Sequence, residues 1–208
     1  MGVIIEVGVN TGSDTEKLLE KYPESKYYGF EPTIELHAHL LKKFRDNPNM
    51  DRMHFYPVAI TENNGFAKFN VAGQGDWGCS SIHEFNPKIH EVWPNRTDFA
   101  VSHTYNVPTM RLDTFIQNYL LEGLVGDFYI DYLWIDAQGS DLDVLYSLGE
   151  YTKYVKGGKL ETAYTVELYS NTNNTMENAI SFLKKNNFTY SIMPDDVGKE
   201  CNIEFWRD

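Results

Sequence analysis

The chain has 208 residues, 42% of them hydrophobic, and its formal net charge is −12 at pH 7. This composition is typical of a folded protein, and we expect a single domain over residues 1–208. The acidic charge argues against nucleic-acid partners and against adsorption to anionic lipid, because both depend on clustered Lys and Arg. The sequence has no signal-peptide pattern and no apolar run near the roughly 20 residues of a membrane span, which favours a soluble, cytoplasmic protein.

Strand and helix patterns alternate along the chain and predict an α/β fold, in which helices cover both faces of a mostly parallel sheet. In chain order, the first predicted elements are a strand over 3–7, a helix after Ser13, a strand over 26–30, a helix opened by Thr33, and strands over 54–60 and 66–71. An extended segment over 104–110 follows, then a helix over 112–121, a strand over 131–136, a helix over 140–148, a strand over 163–168 and a helix over 176–186. Residues 190–193 and 201–206 are predicted to close the sheet as an antiparallel hairpin.

Two stretches stand out from this alternation. Residues 72–103 are rich in Gly, Asn, Trp and His and lack a regular pattern, which predicts a lid or a substrate-binding segment. The first strand begins almost at Met1, and we hypothesise from this that the chain is a domain excised from a longer polypeptide.

The turn after the first strand, Glu6-Val7-Gly8-Val9-Asn10-Thr11-Gly12, carries the clearest functional signal. Gly8 and Gly12 permit a positive φ and a close approach of a ligand, and Asn10 tolerates the left-handed conformation. Ser13 and Glu16 then predict a capping box at the start of the next helix. A loop at the carboxyl end of a strand in an α/β sheet is where such folds bind ligands.

Glu31 ends the second strand, about 20 residues downstream, where an acid can bind both ribose hydroxyls of a nucleoside. The glycine spacing differs from the dinucleotide motif Gly-x-Gly-x-x-Gly, and no basic residue stands in the first loop to favour a pyrophosphate. These residues favour a nucleoside cofactor that carries a carboxylate and a cationic sulfonium.

The chain resembles the FkbM-type branch of the class I S-adenosylmethionine-dependent methyltransferases, whose first motif usually reads Asp-x-Gly-Ala-Asn-x-Gly. The resemblance covers nearly the whole chain, from Val3 to about Trp206. Further motifs that carry it, in order, are Phe30-Glu31-Pro32, Pro57 to Ile60, Gly65 to Phe69, Ser80-Ser81-Ile82, Arg111-Leu112-Asp113 and Ile130 to Leu145.

The resemblance implies a Rossmann-like fold with a seven-stranded sheet, and S-adenosylmethionine as cofactor, with S-adenosylhomocysteine as product. It also implies the residues that bind the cofactor. Those around the methionine part would be Glu6, Gly8, Asn10, Gly12 and Asp136, with Glu31 at the ribose and Ala59 at the adenine.

The chain departs from the family at two positions, because Trp134 stands where Lys is common and Gln138 where Glu is common, while Asp141 keeps the second acid. Gln138 cannot act as a base, so a catalytic role borrowed for that position does not carry over.

Carbohydrate hydroxyls are frequent acceptors in this family, so the resemblance implies O-methylation of a sugar, which needs a base or a metal. Asp136 and Glu167, at the predicted tips of the fourth and fifth strands, are candidates to share a divalent cation, although Asp136 alone would also serve to orient the cofactor's ammonium group. Histidines in the irregular segment are candidate bases, and we favour His83 over His90 and His103. Aromatic side chains that would stack on sugar rings are Trp77, Trp93 and Tyr105.

Two alternatives from other classes stay open, an NAD-linked oxidoreductase and a non-catalytic binding domain. If the chain is an excised domain, a fused or associated glycosyltransferase is a further hypothesis.

Overall fold

The computed structural model describes residues 1–73, 77–96, 99–121, 126–194 and 199–207. A seven-stranded sheet forms its centre, with the strand order β3-β2-β1-β7-β8-β10-β9. These strands are β1 (Gly2–Val7), β2 (Lys26–Phe30), β3 (Met53–Tyr56), β7 (Tyr129–Ile135), β8 (Gly157–Ala163), β9 (Thr189–Pro194) and β10 (Glu200–Trp206).

The pairing within this sheet is parallel from β3 through β8, and β10 runs antiparallel between β8 and β9. β1 pairs in parallel with β2 on one side and with β7 on the other, so its carboxyl end adjoins those of β2 and β7. The predicted α/β fold, with a mostly parallel sheet and an antiparallel final hairpin, is therefore confirmed.

Side chains of β1 alternate between two apolar clusters, one on each face of the sheet. Ile4 belongs to the cluster that packs under α1 (Thr15–Lys21) and α2 (Ile34–Lys43). Val3, Ile5 and Val7 belong to the larger cluster on the other face, under α4 (Leu112–Phe115), α5 (Asp141–Ser147) and α6 (Met176–Lys185). This period of two shows that helices cover both faces, as predicted. None of the described helices is long and apolar enough to cross a membrane.

A second, three-stranded sheet has the order β4-β6-β5 and consists of β4 (Ala59–Ile60), β5 (Gly65–Ala72) and β6 (Val101–Met110). The prediction of one continuous strand over 54–60 is wrong, because the segment divides at Pro57 into β3 and β4, which belong to different sheets. Proline lacks the N–H that a continuous ladder needs. The segment predicted to be irregular contains a 3-10 turn at Trp77–Cys79 and the short helix α3 (Ile89–Val92), and it ends in the first residues of β6.

The strand predicted over 163–168 is also wrong, because β8 ends at Ala163, where that prediction began. β8 starts with two glycines, and a Cβ at Gly158 would lie 2.1 Å from the carbonyl oxygen of Leu133 in β7. Glycines usually weaken a strand, so the local sequence pattern does not indicate the start of β8 and predicts the strand too late in the chain. The side chain of Leu168 packs instead against the cluster around Ile89.

The predicted capping box is not formed. Helix α1 has Asp14 as its N-cap residue, with no side-chain cap bond, and Asp14 accepts a hydrogen bond from Lys17 Nζ at 2.8 Å.

Candidate functional site

The loop after β1 turns through the left-handed backbone region, with φ of 82° at Gly8, 51° at Asn10 and 71° at Gly12. A Cβ at Gly8 would lie 1.9 Å from the carbonyl oxygen of Asp136, so only glycine fits where the ends of β1 and β7 meet. The backbone N–H of Gly8 also donates to the carbonyl oxygen of Phe30 at 2.9 Å. The loop is thereby fixed to both neighbouring strands.

A cavity of about 580 Å³ opens at the carboxyl ends of β1, β2 and β7, and we call it the main cavity. Its polar lining residues include Asn10, Glu31, Thr33, Thr61, Ser80, Asp136, Gln138 and Ser140. Its apolar lining residues include Phe30, Leu36, Val58, Ala59, Ile60, Phe69, Trp77 and Ile82. None of the described residues that line it is Lys, Arg or His.

Glu31 lies at the floor of the main cavity and is 5% exposed. Its Oε2 accepts a hydrogen bond from the backbone N–H of Asn10, and its Oε1 accepts one from that of Thr33, both at 2.8 Å. Burial raises its pKa, and hydrogen bonds from the backbone and side chain of Thr33 and from the backbone of Asn10 oppose the rise. A carboxylate has about four lone-pair sites, so Glu31 retains acceptor capacity for a ligand hydroxyl.

Asp136 and Gln138 follow β7 and also line the main cavity. Gln138 Nε2 donates to Asp136 Oδ1 at 2.5 Å, and Gln138 Oε1 lies 2.7 Å from the Tyr169 hydroxyl. Burial raises the pKa of Asp136, while the bond from Gln138 lowers it. The Gln138 amide therefore orients Asp136 by donating a hydrogen bond to it. An ionised glutamate at this position has no proton to donate and could not fill this role. The sequence gives no signal for Tyr169, which lies 31 residues away along the chain.

Glu6 is 1% exposed and lies beneath the loop, outside the lining of the main cavity in the described structure. Its Oε2 accepts hydrogen bonds from Thr15 Oγ1 at 2.8 Å and from the Tyr27 hydroxyl at 2.5 Å. Burial raises the pKa of Glu6 to about 8. Contact between Glu6 and a cofactor stays a prediction, and its observed contacts connect β1 to α1 and β2.

Ala59, in β4, lines the main cavity, whereas Gly12 is not among the described residues that line it. A Cβ at Gly12 would lie 2.7 Å from Phe44 Cε2 and 2.9 Å from Leu40 Cδ2, so Gly12 allows α2 to pack closely on the loop.

His83 is half-buried and reaches the main cavity through Ser140. Its Nε2 lies 2.9 Å from Ser140 Oγ, and Ser140 lines the cavity. Burial lowers the pKa of His83, which favours the neutral imidazole near pH 7. His90 and His103 are exposed and line neither the main cavity nor the acidic cavity described below.

Of the three aromatic candidates, Trp77 lines the main cavity. Trp93 packs edge-on against Phe99, with ring centres 5.6 Å apart. Tyr105 accepts a hydrogen bond on its hydroxyl from the backbone N–H of Ile34 at 3.0 Å.

Glu167 lies beyond the end of β8 and lines a second cavity of about 310 Å³, which we call the acidic cavity. Asp136 lines the main cavity, so the two carboxylates predicted to share a cation line different cavities. Within the described residues, no three His, Cys, Asp or Glu side chains are grouped so as to hold a metal ion. The strand-tip position predicted for Glu167 is wrong, because β8 ends at Ala163. A cation shared by Asp136 and Glu167 stays a prediction.

Comparison with known proteins agrees with this architecture. The family model described as "Methyltransferase FkbM domain" matches residues 6–190. The 2-O-methyltransferase NoeI of Sinorhizobium fredii (strain NBRC 101917 / NGR234) is 34% identical, over 69% of this chain and 56% of the relative. The chain thus spans little more than half the length of this curated relative.

Solved structures show the same fold at low identity. A methyltransferase FkbM from Methylobacillus flagellatus KT superposes with a TM-score of 0.53 at 12% identity, over 98% of this chain and 44% of the other. TrmK of M. capricolum, solved with S-adenosyl-homocysteine, gives 0.50 at 12% identity, over 100% of this chain and 63% of the other. The match over residues 6–190 covers most of the sequence, and the chain therefore belongs to the FkbM family of methyltransferases.

Proposed function

We propose that the chain is an S-adenosylmethionine-dependent O-methyltransferase whose main cavity binds the cofactor. The observation that carries this proposal is Glu31, a buried carboxylate that is held by two backbone N–H groups and lines the main cavity. Such a group suits two neighbouring ribose hydroxyls, because both are hydrogen-bond donors.

The composition of the main cavity supports the same cofactor. Its apolar lining residues, Ala59 and Ile60 among them, suit an adenine ring. Asp136, which also lines it, has a carboxylate that suits the cationic end of the cofactor. The described lining has no basic side chain to neutralise a pyrophosphate, which disfavours the NAD alternative.

When bound, S-adenosylmethionine supplies a methyl group on a sulfonium sulfur. The protein's part is then to position the acceptor and to remove its proton. We propose that an acceptor hydroxyl gives its proton to Ser140 Oγ while Ser140 gives its own proton to His83 Nε2, across the 2.9 Å contact.

For the acceptor we propose a carbohydrate hydroxyl. The name of the 34% identical relative, a 2-O-methyltransferase, supports an oxygen acceptor. The Trp77 ring at the main cavity is suited to stacking on a sugar face.

Calorimetry with S-adenosylhomocysteine and with NAD tests the cofactor. We expect the first to bind and the second not to bind. Glu31→Gln should weaken binding at least about tenfold, because hydrogen bonds to a charged group are lost. Glu35→Gln removes an equal charge from the exposed start of α2 and should leave affinity unchanged. NAD binding, or unchanged affinity in a folded Glu31→Gln variant, would contradict the proposal.

Transfer of a labelled methyl group to a panel of mono- and oligosaccharides tests the acceptor. Labelled sugar is the expected product. Binding of S-adenosylhomocysteine without transfer to any member of the panel would contradict the carbohydrate assignment.

A further inference from the structure

The acidic cavity is rich in carboxylic side chains. It lies next to the main cavity, and Gln138 lines both. Four carboxylic side chains are among its lining residues, which are Gln138, Gly139, Asp141, Glu161, Thr162, Ala163, Glu167, Leu168, Tyr169, Thr172, Asn174 and Glu200. None of these described lining residues is Lys, Arg or His.

Asp141 and Glu161 form the inner part of this cavity. Asp141 is 1% exposed, and its Oδ1 accepts long hydrogen bonds of 3.3 Å from the backbone N–H groups of Ala137 and Glu161. Burial and nearby carboxylates raise the pKa of Asp141 to about 8 and that of Glu161 to about 9. Both groups therefore favour their protonated forms near pH 7.

Lys159 is the basic residue that lowers the pKa of Glu161. Its Nζ lies 4.3 Å from the centre of the Trp134 ring, outside the lining of the acidic cavity. Lys159 therefore offsets only part of the charge and does not fill the space.

Asn174 supplies an independent sign of a missing ligand. It lines the acidic cavity and is 7% exposed, and its Oδ1 has no hydrogen-bond partner among the described residues. Its Nδ2 donates to the carbonyl oxygen of Glu161 at 3.1 Å and lies 3.4 Å from Asp141 Oδ2, which fixes the amide with its oxygen unused. A buried acceptor without a donor is costly, so a ligand N–H or O–H at this point would be stabilising.

A group that brings several donors and a positive charge matches both features. An ammonium group has three N–H donors and one charge. A bare metal ion fits less well, because the described acids are not grouped at ion-binding distance.

We propose that the acidic cavity binds an ammonium group carried by the methyl acceptor, so that the acceptor is an amino sugar or a similar hydroxylated amine. The proposal rests on the proposed function, since it places the acceptor beside the cofactor cavity. The amino group would contact Glu161 and Asn174 Oδ1, which leaves a hydroxyl of the same molecule free to reach Ser140.

Calorimetric titration of the whole chain with glucosamine and with glucose, without cofactor at pH 7, tests this inference. We expect glucosamine to bind at least about tenfold more tightly, because charge-assisted bonds form only with the amine. Two buffers with different heats of ionisation should reveal proton release on glucosamine binding, since the ammonium group displaces protons from buried carboxyls.

Glu161→Gln should remove both the preference for glucosamine and the proton release. Glu204→Gln removes the same charge from an exposed position on β10 and should leave both unchanged. Equal affinity for the two sugars, or displacement of glucosamine by Mg²⁺ in a competing titration, would overturn the inference.

The proposed function is tested separately by S-adenosylhomocysteine. Binding of S-adenosylhomocysteine without a preference for glucosamine would overturn this inference alone. A preference for glucosamine without S-adenosylhomocysteine binding would instead overturn the proposed cofactor, and with it the role of the amine as a methyl acceptor.

Discussion

At the residue scale, Glu6 and Glu31 show how surroundings assign different roles to two buried acids near one loop. Glu31 is fixed by backbone N–H groups and lines the main cavity. Glu6 is held by the hydroxyls of Thr15 and Tyr27, which leaves it a structural contact between three elements. The same side-chain chemistry is therefore suited to ligand binding at Glu31 and connects elements of the fold at Glu6.

His83→Ala should lower kcat about 100-fold, the lower end of the usual contribution of a general base. Because His83 lies outside the described lining of the main cavity, affinity for S-adenosylhomocysteine should not change. His90→Ala, at an exposed position, is the matched control. Full activity of His83→Ala would rule out this residue as the base.

The pH profile gives a second measurement of His83. The proposed base is the neutral imidazole of His83, and burial lowers its pKa below the ordinary 6.5. The wild-type rate should therefore hold as pH falls to about 6.5 and decline only below it. A decline that begins well above pH 6.5 would point to another base.

At the element scale, the loop after β1 can form part of the main cavity because it lies against β7. Gly8 provides that close approach, since its position leaves no room for a Cβ beside Asp136. The loop and the end of β7 thus form one wall of the main cavity, and Asn10 and Asp136 both line it.

Gly8→Ala should destabilise the protein by about 3 kcal/mol, from backbone strain together with the clash. It should also weaken S-adenosylhomocysteine binding, because the cavity wall shifts. Gly65→Ala is an informative control, because Gly65 also has a positive φ, of 147°, but its Cβ would meet nothing within 4 Å. It should cost about 1 kcal/mol and leave binding intact. Equal losses in urea unfolding would show that the contact with Asp136 is unimportant.

At the scale of the whole molecule, three buried acids make stability depend on pH. Burial raises the pKa of Glu6 and of Asp141 to about 8 and that of Glu161 to about 9. Between about pH 4.5 and 8 the folded state holds protons that the unfolded chain has lost, so stability falls as pH rises through this window.

Glu6→Gln should make this fall less steep, by at most about 1.4 kcal/mol per pH unit for the one proton removed. Urea unfolding at several values between pH 5 and 8 measures the slope. Glu20→Gln, at an exposed position on α1, should keep the wild-type slope. An unchanged slope in Glu6→Gln would mean that Glu6 is ionised in the folded protein throughout this range.

The sequence by itself determined the features that depend on neighbours along the chain. The loop Glu6 to Gly12, helix α6 and the final hairpin are all specified by local patterns of glycine, apolar spacing and turns. Glu31 was also predictable, because its place at the end of β2 is a local property. The ordered motifs identified the family for the same reason.

Only the tertiary structure decided which of these residues meet. His83 and Ser140 are 57 residues apart in the chain, and Tyr169 lies 90 residues from the Cys79 carbonyl it contacts. The start of β8 depends on how closely β7 permits a glycine to approach, and the acidic cavity depends on Asp141, Glu161 and Asn174 coming together. Burial then sets the pKa of each acid, and burial is a property of the packed fold that no local pattern contains.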